Sequence, residues 1–242
     1  MELQILNPSP KYAPPEFVPP PSAGYLHIGA AVAPPVGPPF VRRDPRRTAL
    51  LDRLKHIAAD IERSPEVRSV TVYRAVLVPP AGRTTPHPAR FDVAVLIETS
   101  SPEVLDEVRG SEPYRQLLAA ITAVTTDVHA MAARCLRSLG EVDRRRPGLF
   151  LFNHFTAPHA EAATGLWEHL AGWYVAETGL DNSTLLAPIG ASDYVFVNHA
   201  RWDKSLPRFA LEQFSKKTFR SYVRANLKAN QVVAMPVLYR LA

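Results

Sequence analysis

The chain repeats itself at a nearly constant offset, and this repeat is the strongest constraint on its fold. The pair Ala130-Met131 recurs at Ala234-Met235, and residues 91–100 align with residues 194–203. A looser match joins the segments that follow, at residues 111–115 and 215–220. Several short matches in the same order predict two tandem copies of one α+β unit, with two sheets and up to two pockets.

Composition limits the class of protein. The 242 residues are 46% hydrophobic, which suffices for one large or two small cores. Cys135 is the single cysteine, so an intramolecular disulfide is excluded and a reducing, cytoplasmic location is expected. No signal-peptide pattern opens the chain, and no apolar run approaches the roughly 18 residues of a membrane helix. We therefore expect no membrane partner.

The net charge of +5 includes a basic stripe in the last predicted helix. Its members are Lys216, Arg220, Arg224 and Lys228, spaced four apart. Such a stripe can meet phosphates, or it can be a solvated helix face. No aromatic residue falls on the four-residue spacing of the stripe itself, which favours the solvated face. Nucleic acid is therefore not expected as a partner, and an acidic small molecule is the alternative.

Residues 1–24 are predicted to form an extended arm, because prolines forbid helix and central strand. Eleven of the 24 prolines fall within the first 39 residues. The arm could be a proline-rich ligand for a partner domain, or it could pack along its own chain. Tyr12, Phe17 and Phe40 are apolar anchors that favour packing.

Hydrophobic periodicity then predicts two units, residues 25–140 and residues 149–242. In the first unit we expect strands at 25–33, 67–78 and 91–98 and from Val128, with the second and third of them antiparallel. We expect one helix that is capped by Thr48 and ends before Ser64-Pro65. A second helix should be capped by Ser100 or Ser101 and kinked at Pro113. In the second unit we expect strands at 149–156, 183–187, 194–201 and 232–241, and helices at 160–177 and 204–228, the latter with a kink at Pro207. The loop at 79–90 could overhang a pocket. This order of elements is the ferredoxin-like topology.

Two motifs of the second unit carry a family resemblance. They are Asn153-His154-Phe155-Thr156-Ala157-Pro158 at the end of its first strand and Ala200-Arg201-Trp202-Asp203 at the end of its third. Through them and its strand pattern the chain resembles the dimeric α/β barrel superfamily, which includes antibiotic-biosynthesis-type and haem-degrading monooxygenases. The resemblance covers residues 149–242 and, more faintly, the first half. It implies two antiparallel sheets that form one barrel, with a ligand between a sheet and its helices. A tandem chain could build this barrel alone, although homo-oligomers also remain open.

The resemblance carries over few functional residues. Asn153 matches an asparagine that some members place on the first strand, where it hydrogen-bonds substrate or an oxygen species. Haem-binding members use a histidine late in the second helix, where this chain has Arg220 or Ser221. We therefore predict no cofactor, and haem would lack its family ligand. No histidine spacing supports a metal site.

Polar and aromatic side chains gather in the second unit. We assign Asn153, His199 and His154 as candidate catalytic residues, and Trp167, Trp173, Tyr174, Asn198 and Trp202 as candidate substrate-binding residues. Alternation along a strand lets only one of Asn153 and His154 face the helices. Ordinary core packing for the tryptophans, and structural hydrogen bonding for the histidines, remain open interpretations.

Two functional hypotheses follow. The first is a small-molecule-binding protein that acts as a cofactor-independent, monooxygenase-like oxidoreductase on an aromatic or polyketide-like substrate, with Asn153 orienting it and His199 or His154 exchanging a proton. The second is a non-catalytic ligand-binding or protein-interaction module. Hydrolysis is not expected, because the chain has neither a serine elbow nor suitably placed paired carboxylates. Either way, we expect one site, within residues 149–242.

Overall fold

The computed structural model describes residues 3–80, 82 and 87–242, so part of the loop predicted at 79–90 lies outside the described residues. The first unit contains β1 (Gly24–Ala30), α1 (Pro45–Ile61), β2 (Val67–Leu77), β3 (Val93–Thr99), α2 (Leu105–Gly110), α3 (Glu112–Thr122) and β4 (Val128–Gly140). The second unit contains β5 (Leu149–Thr156), α4 (Ala160–Thr178), β6 (Ser183–Pro188), β7 (Phe196–Trp202), α5 (Leu206–Phe214), a π-helix (Phe219–Arg224), α6 (Ala225–Ala229) and β8 (Val233–Leu241).

The eight strands close into one antiparallel barrel in the order β1-β3-β2-β8-β5-β7-β6-β4. Each unit contributes four neighbouring strands in the same ferredoxin-like arrangement, and the units join where β2 pairs with β8 and β4 pairs with β6. The predicted fold class is therefore confirmed. One chain closes the barrel alone, so no second copy is needed to complete the sheet.

The two units correspond residue by residue in their central strands. In β7, Asn198 holds the third position, as Val95 does in β3. Asn198 pairs across the ladder with Asn153 of β5, and Val95 pairs with Ile28 of β1. Ile28 and Val95 are thus the first-unit counterparts of Asn153 and Asn198.

Alternation along the strands separates a barrel interior from a helix-facing side. In β5, Phe150 and Phe152 belong to the apolar cluster inside the barrel, where His154 lies beside Tyr194 with ring centroids 4.8 Å apart. Leu151 and Phe155 belong to clusters between the sheet and the helices. The helix-facing side of the second unit is therefore the side of Asn153.

Three helix boundaries differ from the sequence predictions. Helix α1 is capped by Asp44, whose Oδ1 accepts from the Arg47 amide at 3.0 Å, and not by Thr48, because Pro45 fits the first helical turn. The expected kink at Pro113 is instead a break, at which Ser111 caps α3. The predicted helix 204–228 is interrupted after Phe214 and continues as the π-helix and α6.

The N-terminal arm lies against the helices of the second unit. Two asparagines one turn apart hydrogen-bond the backbone of the arm. Asn230 accepts from the amide of Gln4 and donates to its carbonyl, and Asn226 does the same with Leu6. Further along, Phe17 stacks on Trp167 with ring centroids 5.7 Å apart. Of the three predicted anchors Phe40 is 58% exposed, so it does not anchor the arm. No helix in the described part of the chain is both long and apolar enough to span a membrane.

Candidate functional site

A cavity of about 410 Å³ lies between the sheet and the helices of the second unit, and we call it the helix-side cavity. It is lined by Leu151, Asn153, Phe155, Trp167, Leu170, Ala171, Tyr174, Leu180, Asn198, Trp202, Gln213, Phe214, Phe219, Arg220, Val223, Arg224, Leu227, Ala234 and Pro236. The volume falls within the range of small-molecule sites, about 300–1,000 Å³. A mostly apolar lining with a few polar groups is the usual composition of such sites.

The first unit has apolar side chains where this cavity has amides. Ile28 and Val95 are buried to 1% and 0% exposure within the cluster that packs α1 and α3 onto the sheet. Asn153 and Asn198 occupy the corresponding positions of the second unit. The two units therefore differ at the centre of this layer, which is a packed aliphatic core in the first unit and a polar cavity wall in the second.

Asn153 carries the unusual feature of this wall. Its Oδ1 atom is buried and accepts no hydrogen bond from any described residue. Its ladder neighbours are Asn198 on one side and Pro236 on the other. A buried amide oxygen without a donor costs about 1–3 kcal/mol, so native proteins seldom leave one. Asn153 lines the cavity, so this oxygen is the one buried side-chain polar atom of the described lining that lacks a hydrogen-bond partner.

Asn198 presents the complementary group. Its Oδ1 accepts from the Ser183 hydroxyl at 2.6 Å, and this bond fixes the orientation of the side chain. Its Nδ2 donates to no other described residue. Since Asn153 and Asn198 lie directly opposite one another on β5 and β7, the wall offers an acceptor beside a donor.

Three of the six aromatic side chains in the described lining, Trp167, Tyr174 and Trp202, are held in place by neighbouring groups. Trp202 donates from Nε1 to Thr178 Oγ1 at 3.2 Å, and Gln213 Nε2 donates to the Tyr174 hydroxyl at 3.4 Å. Burial raises the pKa of Tyr174, which keeps this phenol neutral. Trp167 is held from behind by the arm through Phe17. These contacts hold flat apolar surfaces around the cavity.

Trp173 lies outside the lining. It is fully buried, and its Nε1 donates to Thr218 Oγ1 at 3.1 Å, just before the π-helix. It packs in the layer of α4 and the π-helix. Sequence reasoning placed it with the other aromatic residues, but its direction on α4 assigns it to core packing here.

His199 and His154 lie on the opposite side of the sheet, inside the barrel. His199 Nδ1 donates to the Leu151 carbonyl at 3.1 Å, and its Nε2 accepts from the Tyr73 hydroxyl at 3.2 Å. Burial lowers the pKa of each histidine to about 3, so both imidazoles are neutral. The structure does not bring them together with Asn153, because neighbouring strand residues face opposite sides. Proton exchange between these rings and the helix-side cavity has no geometric support.

Sequence reasoning missed three polar residues of the lining, Gln213, Arg220 and Arg224. The arginines belong to the basic stripe that was interpreted as a solvated face. They are exposed at the edge of the cavity, and neither forms an ion pair with a described residue. The amphipathic spacing could have indicated this wall, but the π-helix, which re-phases the helix, has no clear sequence signal.

The donor set of the cavity does not fit haem ligation of the family type. Among the described residues, the lining includes no histidine, cysteine or methionine, and its one tyrosine is hydrogen-bonded to Gln213. No group of three histidine, cysteine or acidic side chains within the described ranges is arranged to hold a metal ion. The cavity instead offers amides, aromatic surfaces and guanidinium groups.

Fold and cavity together define the protein as a closed eight-stranded antiparallel barrel of two tandem ferredoxin-like units, with a helix-side cavity in its second unit. A crystal structure of an anthrone oxidase-like protein is similar over 91% of both chains, with 15% identity and a TM-score of 0.65. A proposed monooxygenase from Fusobacterium nucleatum is similar over 90% of this chain and 91% of its own, with 7% identity and a TM-score of 0.55.

A dye-decolorizing peroxidase from Bacteroides thetaiotaomicron shares the fold over 95% of both chains, with 8% identity and a TM-score of 0.50. No protein-family model matches the sequence, and no curated protein does. At such low identities the likeness shows the fold alone.

Proposed function

We propose that the protein binds a planar, oxygenated aromatic molecule of polyketide-like character in the helix-side cavity and oxidises it with O₂ in a cofactor-independent, monooxygenase-like reaction. The observation that carries this proposal is the unpartnered, buried Oδ1 of Asn153 at the centre of an aromatic-walled cavity. A hydroxyl group of the ligand would supply the missing donor.

The walls favour a flat ligand with two kinds of oxygen. Trp167, Tyr174 and Trp202 offer ring faces and edges against which an aromatic system can pack. A ligand hydroxyl would donate to Asn153 Oδ1, and a ligand carbonyl would accept from Asn198 Nδ2. Hydroxyl and carbonyl groups on neighbouring rings, as in hydroxylated polycyclic ketones, match this pair.

The reaction that suits these groups is oxidation of a ring CH₂ flanked by two aromatic rings. Two C–H bonds and the O–O bond break, one oxygen atom becomes the new carbonyl, and the other leaves as water with both hydrogens. The ligand supplies all four electrons to O₂, so no other reductant is required. Asn198 would stabilise the negative charge that develops on the existing carbonyl oxygen when the CH₂ loses a proton to solvent. The names of the first two structural relatives are consistent with this chemistry.

A second candidate function is non-catalytic binding of the same class of molecule. It is favoured by one observation: the lining, as far as the structure describes it, includes no histidine, aspartate or glutamate that could take up a proton, and His154 and His199 face the barrel interior. In this case the substrate would ionise without help, and the protein would act as a carrier.

The test uses 1,8-dihydroxyanthrone, which has both oxygen types and the reactive CH₂. Tryptophan fluorescence would measure its binding, and O₂ uptake with 1,8-dihydroxyanthraquinone formation would measure turnover against the spontaneous rate. We expect the wild-type protein to bind the molecule saturably and to accelerate its oxidation above the spontaneous rate. Asn153→Ala should weaken the binding. Ser192→Ala, outside the cavity lining, is the control. Binding without acceleration would favour the carrier, and the absence of saturable binding would refute the proposed site.

A further inference from the structure

Arg220 and Arg224 are the charged residues of the helix-side cavity. The lining includes no aspartate and no glutamate among the described residues, so this mostly apolar space carries charge of one sign only. The two guanidinium groups lie about one turn apart on the π-helix and at the solvent edge.

Three other basic side chains of the second unit already have acidic partners. Lys216 binds Glu177 with Nζ and Oε2 2.5 Å apart, and Lys204 and Arg208 both bind Glu212. Arg220 and Arg224, in contrast, have no acidic partner within the described residues. Their charge is therefore not neutralised inside the protein, and guanidinium groups are well matched to a planar carboxylate.

We propose that the ligand is an acid: its ring system lies deep in the cavity, and a carboxylate at its outer end binds Arg220 and Arg224. This inference rests on the proposed ligand site and adds the substrate class. The two ends of the molecule are then recognised differently. Asn153 and Asn198 hydrogen-bond neutral oxygen substituents at the sheet, and the two arginines bind the negative charge at the rim of the cavity.

A matched pair of ligands isolates the charge. Anthracene-2-carboxylate and anthracene-2-carboxamide have the same ring system, but only the former is ionised at neutral pH. Titration calorimetry at low salt would compare their dissociation constants for the full chain. A charge-assisted contact predicts that the acid binds roughly tenfold more tightly than the amide, and that added salt reduces this preference.

Variants locate the effect. The double variant Arg220→Gln/Arg224→Gln should bind both ligands equally while keeping the wild-type affinity for the amide, which also reports an intact cavity. Lys228→Gln, exposed one turn further along and outside the lining, should keep the preference for the acid.

Four outcomes would overturn the inference. Equal binding of the two ligands to the wild-type protein, a preference that survives in the double variant, or an equal loss in Lys228→Gln would each refute the arginine contact while leaving the ligand site in place. Failure of both ligands to bind would also refute the inference, and binding of 1,8-dihydroxyanthrone, which has the hydroxyl and carbonyl groups that the anthracenes lack, would then show whether the ligand site itself stands.

Discussion

Replacement of Asn153 by leucine should make the protein more stable and its cavity less able to bind ligand. The buried Oδ1 has no donor in the described part of the chain, so the folded state carries a desolvation cost that the unfolded chain does not. Leucine has a similar size and no polar atom. Ile28, the first-unit counterpart of Asn153, shows that an aliphatic residue fits this strand position.

The magnitude follows from the unpaired oxygen. Leaving a buried polar group unsatisfied costs about 1–3 kcal/mol. Leucine also gives up the contacts of the amide group, which offsets part of this gain, so we expect the free energy of unfolding to rise by about 1–2 kcal/mol. For a chain of this size, each kcal/mol corresponds to a rise in melting temperature of about 2–4 °C. Binding of 1,8-dihydroxyanthrone should weaken at the same time.

Urea unfolding followed by tryptophan fluorescence would measure the change, with an unchanged slope showing that the transition is comparable. Asn198→Leu is the matched control, because its Oδ1 accepts from Ser183 at 2.6 Å. That variant removes a real hydrogen bond and should lose about 1 kcal/mol. If Asn153→Leu is instead destabilised by as much as Asn198→Leu, the oxygen has a partner in the folded protein and the argument for a ligand acceptor fails.

Three further predictions concern the arm and the barrel interior. Gly172→Ala should release the arm and expose it to limited proteolysis, because a Cβ there would clash with the carbonyl oxygens of Tyr12 and Ala13. Gly110 has open space around it, so Gly110→Ala should leave the cleavage pattern unchanged. Asn226→Ala removes two hydrogen bonds to the arm's backbone and should lower the free energy of unfolding by about 1–3 kcal/mol in urea, and an unchanged value would contradict the proposed anchoring. Lowering the pH from 7 to 5 should reduce the free energy of unfolding by about 2 kcal/mol for each of His154 and His199. The reason is that their pKa of about 3 in the folded protein lies below the unfolded value of about 6.5, so the unfolded chain binds protons first. A stability that does not change with pH in this range would refute the prediction.

Much of the architecture could be predicted because the periodicities are strong. Strand β5 (Leu149–Thr156) matches its predicted range, and the repeat offset correctly superimposes β3 on β7. Local competition explains the errors. Asp44 and Thr48 are both good cap residues, and only the placement of Pro45 in the first turn decides between them.

The candidate site could be predicted only in part. Alternation correctly separated Asn153 from His154, and the same rule applied to Asn198 and His199 would have placed that histidine inside the barrel. Arg220 and Arg224 lie on the π-helix and line the cavity. A π-helix has more residues per turn than an α-helix, so α-helical spacing along the sequence does not predict the direction of their side chains.

The most direct test is a crystal structure of the full chain with 1,8-dihydroxyanthraquinone, the stable product of the proposed reaction. We predict that its rings lie between β5, β7 and the helices of the second unit, with a hydroxyl group within hydrogen-bond distance of Asn153 Oδ1 and a carbonyl near Asn198 Nδ2. A ligand found inside the barrel among His154 and His199, or in the first unit against Ile28, would contradict the account.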